Sequence, residues 1–536
     1  MGEGRYLWQK YCSFFDQDFE EQLQYNFIKR DHHFSQWKKS RTAESLSSEI
    51  DDFEDIPLTG YEDYPILHKF GEKLEKLSQT IPRENGELSW EYYQRISKQV
   101  APLLEDWLPD DYEFCGKTTG STGKSKWFAY GRIFKENLIM DSVSLAIIGC
   151  SDKSGTTRID PGDNLLNILA PAPYIAGTSC RAWAREFELV PTIKEMESTS
   201  NMIKKINLIV EKIKDGKRID GFGGIASPLK MICDYLKNPG DLYKEYYRSV
   251  NFGILKFALF FKYLKEKYFG TNHKKLKNIL PLKGIGTAGI DTKLYYNYLK
   301  REFGLKPLNG YGNSEFGMVM YGRPEIKKYL VPSLRSCYFE FLDEKGQIRK
   351  IDELQKGQLY EFVGTGFGSM LSRYKTGDIF RVVDIRKDGM PILDCEGRKR
   401  AWLDFYDYFR ISQRLITDAI IESGLDGNEK WCVYKKINPR EKLCVLMEKL
   451  WDYDRVEATR KLFDALKKIS NSFNDYIVDF KINDPERIIE VEYLSRGSFM
   501  RYTMKKKKEG VPLGQIKVPK IISAEDKELI NFLRNI

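Results

Sequence analysis

Apolar residues recur at helical spacing through the first hundred positions, most clearly over 66–77 and 90–108, so the chain opens as an aromatic-rich helical region. The same period predicts a helix over 132–150. Residues 165–170, Leu-Leu-Asn-Ile-Leu-Ala, read as a short buried strand that runs into the loop Pro171-Ala-Pro-Tyr-Ile-Ala-Gly177. Helical periodicity dominates 193–280. Its most apolar stretch, 250–261, reads as a buried helix, too short to span a bilayer, broken by Lys256 and closed by Lys262. A strand over 282–287, a helix over 291–303 with Asp291 at its N-cap, and a strand over 307–311 follow. That alternation predicts a parallel sheet, whose ligands collect at the carboxyl ends of the strands.

From about 337 the pattern turns to short strands: 337–342, 358–364, 379–384 and 390–394, separated by Gly, Asp and Lys turns. After 398, helices are predicted over 414–423 and 455–470, and strands over 431–435, 442–448, 476–482 and 487–493. The expected class is α/β. A large N-terminal domain (1–397) has mixed sheets flanked by helices plus a β-rich subdomain, and a small α+β domain (398–536) follows. No internal repeat or low-complexity linker interrupts them.

Composition narrows the function classes. With 42% hydrophobic and 13% aromatic residues, the chain is globular rather than disordered. A net charge of +9 over 536 residues is a mild excess and not a nucleic-acid-binding signature. The densest basic run, Lys505 to Lys508, reads as a solvated helix face, with contact to an anionic substrate as the alternative. Nine cysteines occur without a C-x-x-C pair, so they are expected to be reduced core residues of a cytoplasmic protein, Cys115 included. The polar, charge-broken start predicts no secretory signal. The four histidines sit in no catalytic or metal-binding setting, and the His32-His33 pair is expected at the surface. No nucleic-acid partner and no membrane span are expected. Oligomeric state is not legible.

The segment with most chemistry is Cys115-Gly-Lys-Thr-Thr-Gly-Ser-Thr-Gly-Lys-Ser-Lys126. Glycines such as Gly120 and Gly123 let backbone N–H groups converge on an anion. Thr118, Thr119, Ser121 and Thr122 can donate to phosphate oxygens, and Lys124 or Lys126 can add charge. A flexible surface turn has the same composition. The P-loop of ATPases is excluded by spacing, because Thr118 and Asp111 stand where its first glycine must be. Three further segments accompany it. Tyr311-Gly312-Asn313-Ser314-Glu315 offers an aromatic face and a carboxylate, or a simple tight turn. Arg373-Tyr-Lys-Thr-Gly-Asp378 places a carboxylate after a glycine turn, where it can accept from two ribose hydroxyls or merely close a hairpin. Gly514-Gln-Ile-Lys-Val-Pro-Lys520 carries lysines on an extended segment.

In this order, and with Gly397-Arg398 between the last two, these segments resemble the adenylate-forming superfamily of acyl-CoA synthetases, luciferases and peptide-synthetase adenylation domains. The closest likeness is to the auxin-responsive acyl-acid amido synthetases and their microbial relatives, through Tyr338-Phe-Glu-Phe-Leu342, Gly357-Gln-Leu-Tyr-Glu-Phe362, Leu371 to Asp378 and Leu494-Ser-Arg-Gly-Ser-Phe499. The resemblance runs from about residue 110 to the end. It implies an ATP-dependent ligase that forms an acyl-adenylate from a small carboxylic acid and passes the acyl group to an amine, with magnesium as cofactor. Thr118 to Lys124 and Lys126 would then hold the ATP phosphates, and Tyr311 would stack on adenine above Gly312. Asn313 and Ser314 would line the nucleotide pocket, Glu315 would coordinate Mg2+, and Asp378 would bind the ribose with Arg398 nearby. Lys517 would arrive on a mobile C-terminal domain to steady the reacting phosphate.

Two departures bear on the acceptor. The loop TTGSTGKSK resembles the general superfamily, including phenylacetate-CoA ligases, more than the amido-synthetase variant, and Arg410 stands near where the plant enzymes carry a lysine after the Arg398 equivalent. CoA as acceptor, and a degenerate nucleotide-binding protein without catalysis, are therefore the alternatives. The acid is expected to be walled by the loop 171–177 and by helices within 193–270.

Overall fold

The helix predicted from residue 132 extends over Arg132–Gly149, and every residue from Asp141 to Gly149 is buried. A helix enclosed on all sides needs packing on all sides. Here it meets a sheet backbone to backbone. A Cβ on Gly149 would sit 3.0 Å from the amide nitrogen of Gly286, and one on Gly284 would sit 2.3 Å from Cα of Cys150. Leu7, Tyr11, Trp183, Leu308 and Tyr321 complete the core around it. These coordinates are a computed structural model, which describes residues 3–534 except 48, 119–124, 199–201, 238–259, 261–275, 290–291, 400–401, 406–408, 426–429, 438–440, 450–452, 510–515, 517 and 524–525. The expected helix over 250–261, apart from Phe260, and the Asp291 cap lie outside the described residues. No described helix is long and apolar enough to cross a membrane.

Two units divide the chain. The first comprises Met1–Ile225, Leu280–Gly289 and Leu305–Cys395. In it β1 (Tyr112–Lys117) and β2 (Trp127–Gly131) form an antiparallel hairpin. Twelve further strands make one sheet: β3 (Asn164–Leu166), β4 (Glu188–Val190), β5 (Gly221–Gly224), β6 (Gly284–Ala288), β7 (Leu308–Asn313), β8 (Gly317–Arg323), β9 (Ile326–Pro332), β10 (Cys337–Leu342), β11 (Ile348–Lys350), β12 (Leu359–Gly366), β13 (Tyr374–Ile385) and β14 (Pro391–Arg398). Strands β4-β3-β5-β6-β7 lie side by side and run parallel, as the alternating pattern predicts. From β7 the sheet continues through β8, β9, β14, β13, β12 and β10 to β11. Strand β5 was not expected within a helical stretch. Gly221-Phe-Gly-Gly224 has little strand propensity, but a Cβ on Gly223 would meet the Trp183 ring at 2.5 Å, so close packing selects glycine there.

The second unit comprises Ala226–Ile279, Ile290–Gly304 and Glu396–Ile536. It holds the hairpin β15 (Leu403–Phe405) and β16 (Phe409–Ile411), and a four-stranded sheet ordered β19 (Ile489–Leu494), β18 (Lys442–Glu448), β17 (Trp431–Lys436), β20 (Ile521–Ile522). The strand expected over 476–482 is instead mostly the helix Asn471–Asp479. Its β-prone Tyr-Ile-Val is overruled by a Ser470 cap on the Phe473 amide at 3.3 Å and by burial of Phe473, Tyr476 and Ile477 at helical spacing. The Leu494-Ser-Arg-Gly-Ser-Phe499 signature is a helix start. Gly497 takes φ 92°, and buried Glu448 accepts the Phe499 amide at 3.0 Å at the N-terminus of Ser498–Lys508. In the basic run of that helix, Lys505 pairs with Glu528 at 3.1 Å and Lys506 with Glu509 at 2.8 Å, in keeping with a solvated face.

All nine cysteines are buried and none is in a disulfide. Burial pushes the Cys115 thiol up to about 12, so it stays protonated and is no nucleophile. The expectation of a surface His32-His33 pair is half wrong, because His33 is 5% exposed on helix Phe19–Trp37 with its ring 6.1 Å from that of Phe367. Burial lowers its pKa to about 3. The unfolded chain gains a proton below about pH 6.5 and the folded chain does not, so His33 withdraws stability as pH falls from there toward 3. Between pH 7 and 5 this is about 2 kcal/mol. Urea titrations at both pH values should show His33→Leu losing about that much less than the unsubstituted protein. Equal losses would exclude the effect.

Candidate active site

A hairpin turn carries the Tyr-Gly-Asn-Ser-Glu segment. β7 and β8 pair with Asn313 opposite Gly317, so Ser314, Glu315 and Phe316 form the turn. Asn313 Oδ1 accepts the Phe316 amide at 2.8 Å, the local bond an asparagine offers a turn, and Gly317 takes φ 74°, which a side chain would resist. Gly312 permits the tight crossing, since a Cβ there would stand 2.8 Å from the Gly317 carbonyl oxygen. Glu315, at the turn, is only 8% exposed.

Asp378 is aimed by an irregularity in β13. Two steps of β12, from Glu361 to Val363, face four of β13, from Ile379 back to Lys375. Gly377 takes φ 75° in this bulge, Thr376 Oγ1 donates to the Phe362 carbonyl at 2.8 Å, and the Asp378 amide donates to Thr376 Oγ1 at 3.1 Å. Bulges redirect side chains in this way. Neighbouring strands stand about 4.8 Å apart, so β7 and β13, with β8, β9 and β14 between them, would be roughly 19 Å apart in a flat sheet. Yet Tyr311 Oη donates to Asp378 Oδ2 at 2.7 Å. The antiparallel half therefore curls over, and the two residues point into the curl.

A short relay results: Asn313 Nδ2 donates to Tyr311 Oη at 3.0 Å, and Tyr311 donates to Asp378. The Tyr311 ring meets Phe380 edge-on at 4.9 Å and is 9% exposed. Burial, then the Asp378 carboxylate, hold the phenol well above its usual range, so it remains a donor at every working pH. The residue assigned to the base thus engages the residue assigned to the ribose through its hydroxyl.

The glycine-rich loop joins the same place through its hairpin. β1 and β2 zip up to its neck, where the Thr118 amide donates to the Lys126 carbonyl at 2.9 Å and the Lys126 amide donates to Thr118 Oγ1 at 2.8 Å. Lys126 Nζ lies 4.9 Å from the centre of the Tyr61 ring. Thr119, Gly120, Ser121, Thr122, Gly123 and Lys124 lie outside the described residues. On β2, Tyr130 donates its hydroxyl to the Ser314 carbonyl, which fastens the hairpin to the turn. The Glu315 charge contributes to raising both the Tyr130 phenol and that of Tyr61, the latter to about 12, although burial is the larger cause in each. Loop neck, turn and Asp378 are thus one assembly. Arg398 is exposed at the end of β14 in the second unit, where Arg410 pairs with Asp404 at 2.8 Å. Lys517 lies outside the described residues.

Sequence reasoning passed over Tyr61 and Tyr130, since nothing local sets either apart from a core aromatic. It also left Arg373 without a role. Arg373 adopts φ 47°, pairs with buried Glu340 at 3.1 Å and donates to the Ile56 carbonyl at 2.9 Å, so it anchors the N-terminal segment rather than facing the relay.

Residues 330–398 match the GH3 family central domain. Comparison with curated proteins gives no match. Among solved structures the chain is similar to AtGH3.15 acyl acid amido synthetase in complex with 2,4-DB, at TM-score 0.62 and 16% identity over 93% of this chain and 91% of that one. It is also similar to 2-hydroxyisobutyryl-CoA ligase in the postadenylation state in complex with R3-HIB-AMP, at TM-score 0.52 and 13% identity over 95% and 88% of the two chains. The fold is that of these two ligase structures, and the stretch matched to the GH3 family central domain runs from the end of β9 to β14, Asp378 included.

Proposed function

We propose that this chain, with an adenylate-forming fold and a GH3 central domain, is an ATP-dependent ligase that activates a small carboxylic acid as its acyl-adenylate and transfers the acyl group to an amine, forming an amide. The observation that carries the reading is the convergence of the glycine-loop hairpin, the Ser314–Phe316 turn and Asp378 through the Tyr130–Ser314 and Tyr311–Asp378 bonds.

In the first step a carboxylate oxygen attacks the α-phosphorus of ATP and pyrophosphate leaves. Two anions must approach, so the barrier is chiefly electrostatic. The backbone amides and hydroxyls of Thr118 to Thr122, with Lys124 and Lys126, hold the phosphates, and Asp378 receives the ribose hydroxyls. Glu315, a carboxylate at the turn that Tyr130 fastens to the loop hairpin, would hold a magnesium ion beside phosphate oxygens, the usual company of that ion. When bound, Mg2+ neutralises phosphate charge. Lys517, on the proposed C-terminal domain 398–536, adds positive charge at the reacting phosphate. In the second step the amine nitrogen attacks the acyl carbon, AMP leaves, and the nitrogen loses a proton.

Pyrophosphate–ATP exchange over an acid library tests the first step, and exchange that requires one acid class is expected. AMP release on adding amino acids, and not on adding CoA, is expected for the second. Release that depends on CoA would move the protein to thioester formation, the chemistry of the CoA ligase it resembles in fold. No exchange with any acid would leave a nucleotide-binding protein without catalysis.

A further inference from the structure

The parallel half of the sheet reverses its order at β3: β4 is added on one side of it, while β5, β6 and β7 extend on the other. Ligands of open α/β sheets settle at the carboxyl ends of strands beside such a reversal. At that place the residues following β3 border a small, partly open cavity. Its body is apolar, with Leu169, Ile193 and Met196. The wall at Pro171 and Ala172 is tied to the glycine loop, because the next residue, Pro173, accepts the amide of Lys117 at 3.1 Å, one residue before Thr118. Gly177 presses on the same wall, where a Cβ would stand 2.3 Å from the Ala172 nitrogen. One turn further along helix Ile175–Trp183, on the face Gly177 occupies, Arg181 borders the cavity with its guanidinium 5.3 Å from the centre of the Trp90 ring.

The charges around the cavity are unequal. Glu197 is its one acidic residue, and its Oε2 already accepts from the Ser89 amide and hydroxyl, both at 2.7 Å, and from Arg83 at 3.0 Å. Arg181 borders the cavity as a cation set over the Trp90 ring. A guanidinium set over an aromatic ring still has N–H donors to offer an acceptor. An apolar cavity with that rim suits an apolar body ending in an anion.

We infer that this cavity receives the acyl body of the acid substrate and that the acid bears a second anionic group, a carboxylate at its far end, held by Arg181. The inference rests on the ligase reading, which places the acid's reacting carboxylate toward the glycine loop. The test uses matched pairs, terephthalate against benzoate and adipate against hexanoate, with the full-length protein. Binding is read without ATP by calorimetry and by quenching of tryptophan fluorescence, with Trp90→Phe as the control that assigns the signal. Each diacid should bind at least tenfold tighter than its monoacid. Arg181→Met should abolish that preference and leave monoacid affinity within about twofold, and Arg181→Lys should restore part of it. Monoacids that bind as tightly as diacids to the unsubstituted protein, or an Arg181→Met variant that weakens both alike, would overturn the inference. Because no nucleotide is present, diacid binding without subsequent exchange would count against the ligase reading and not against the cavity.

Discussion

Replacing Asp141 by alanine is expected to remove about 3–5 kcal/mol of stability, the cost of leaving a buried charge without its partner. Asp141 has no exposed surface. Its Oδ1 accepts from Arg335 Nη2 at 2.7 Å, Tyr321 Oη at 2.7 Å and Ser333 Oγ at 2.9 Å, and Oδ2 accepts from Ser336 Oγ. Without it the Arg335 guanidinium, buried beside the rings of Phe14 and Phe15, keeps only the Tyr11 carbonyl at 2.9 Å and Ser144 Oγ at 3.3 Å, both neutral. Domains hold about 5–15 kcal/mol in reserve, so the loss is a large fraction of the total and the unfolding midpoint should fall steeply. Asp141→Asn retains an acceptor but no charge and should fall between. The double variant Asp141→Leu with Arg335→Met removes both ions and should recover most of the loss, since an apolar pair of like volume is often no worse than a buried ion pair. Urea midpoints of the four proteins decide it. A single alanine variant within 1 kcal/mol of the unsubstituted protein would show that the pair carries no net charge penalty.

That hub also shows where the sequence is readable and where it is not. Cys337–Leu342 and Lys442–Glu448 have the bounds the sequence pattern predicts, because runs of apolar and aromatic residues, broken by Glu340 in the first, lie between turn residues. Asp141 stands inside an apolar helix, and an acid there signals a buried partner. Its partners, though, sit 180 to 195 residues away, and no local pattern names them. The helix Asn471–Asp479 was misread for a related reason: its propensity points to strand, and only its packing face and Ser470 cap decide otherwise. At the site, glycine-rich and carboxylate-bearing segments are legible because their chemistry leaves few residue choices. The phenols of Tyr130 and Tyr311 are not, because aromatic residues on buried strands look like core, and their hydroxyls acquire meaning only when the fold brings acceptors to them.

The relay at that curl gives the second large effect. On the proposed reading Asp378 must present lone pairs to ribose while already accepting from Tyr311 at 2.7 Å, and an ionised carboxylate has about four such positions to share. Tyr311 therefore acts by fixing the orientation of Asp378, and Asn313, bonded to Tyr311 at 3.0 Å and to the turn at 2.8 Å, fixes Tyr311. Hydrogen bonds to a charged acceptor contribute about 1.5–3 kcal/mol each, so Asp378→Ala should lower kcat/KM for ATP at least a hundredfold when two ribose hydroxyls lose their acceptor. Tyr311→Phe removes one positioning bond and should raise KM for ATP roughly tenfold with kcat nearly unchanged, the pattern of lost uniform binding. The readout that separates ribose recognition from general damage is 2′-deoxy-ATP. The unsubstituted protein should discriminate against it strongly, Tyr311→Phe less, and Asp378→Ala not at all, because an alanine cannot distinguish a hydroxyl from its absence. An Asp378→Ala variant that still favours ATP over the deoxynucleotide would place the ribose elsewhere and leave the Tyr311–Asp378 bond a device for holding β7 against β13.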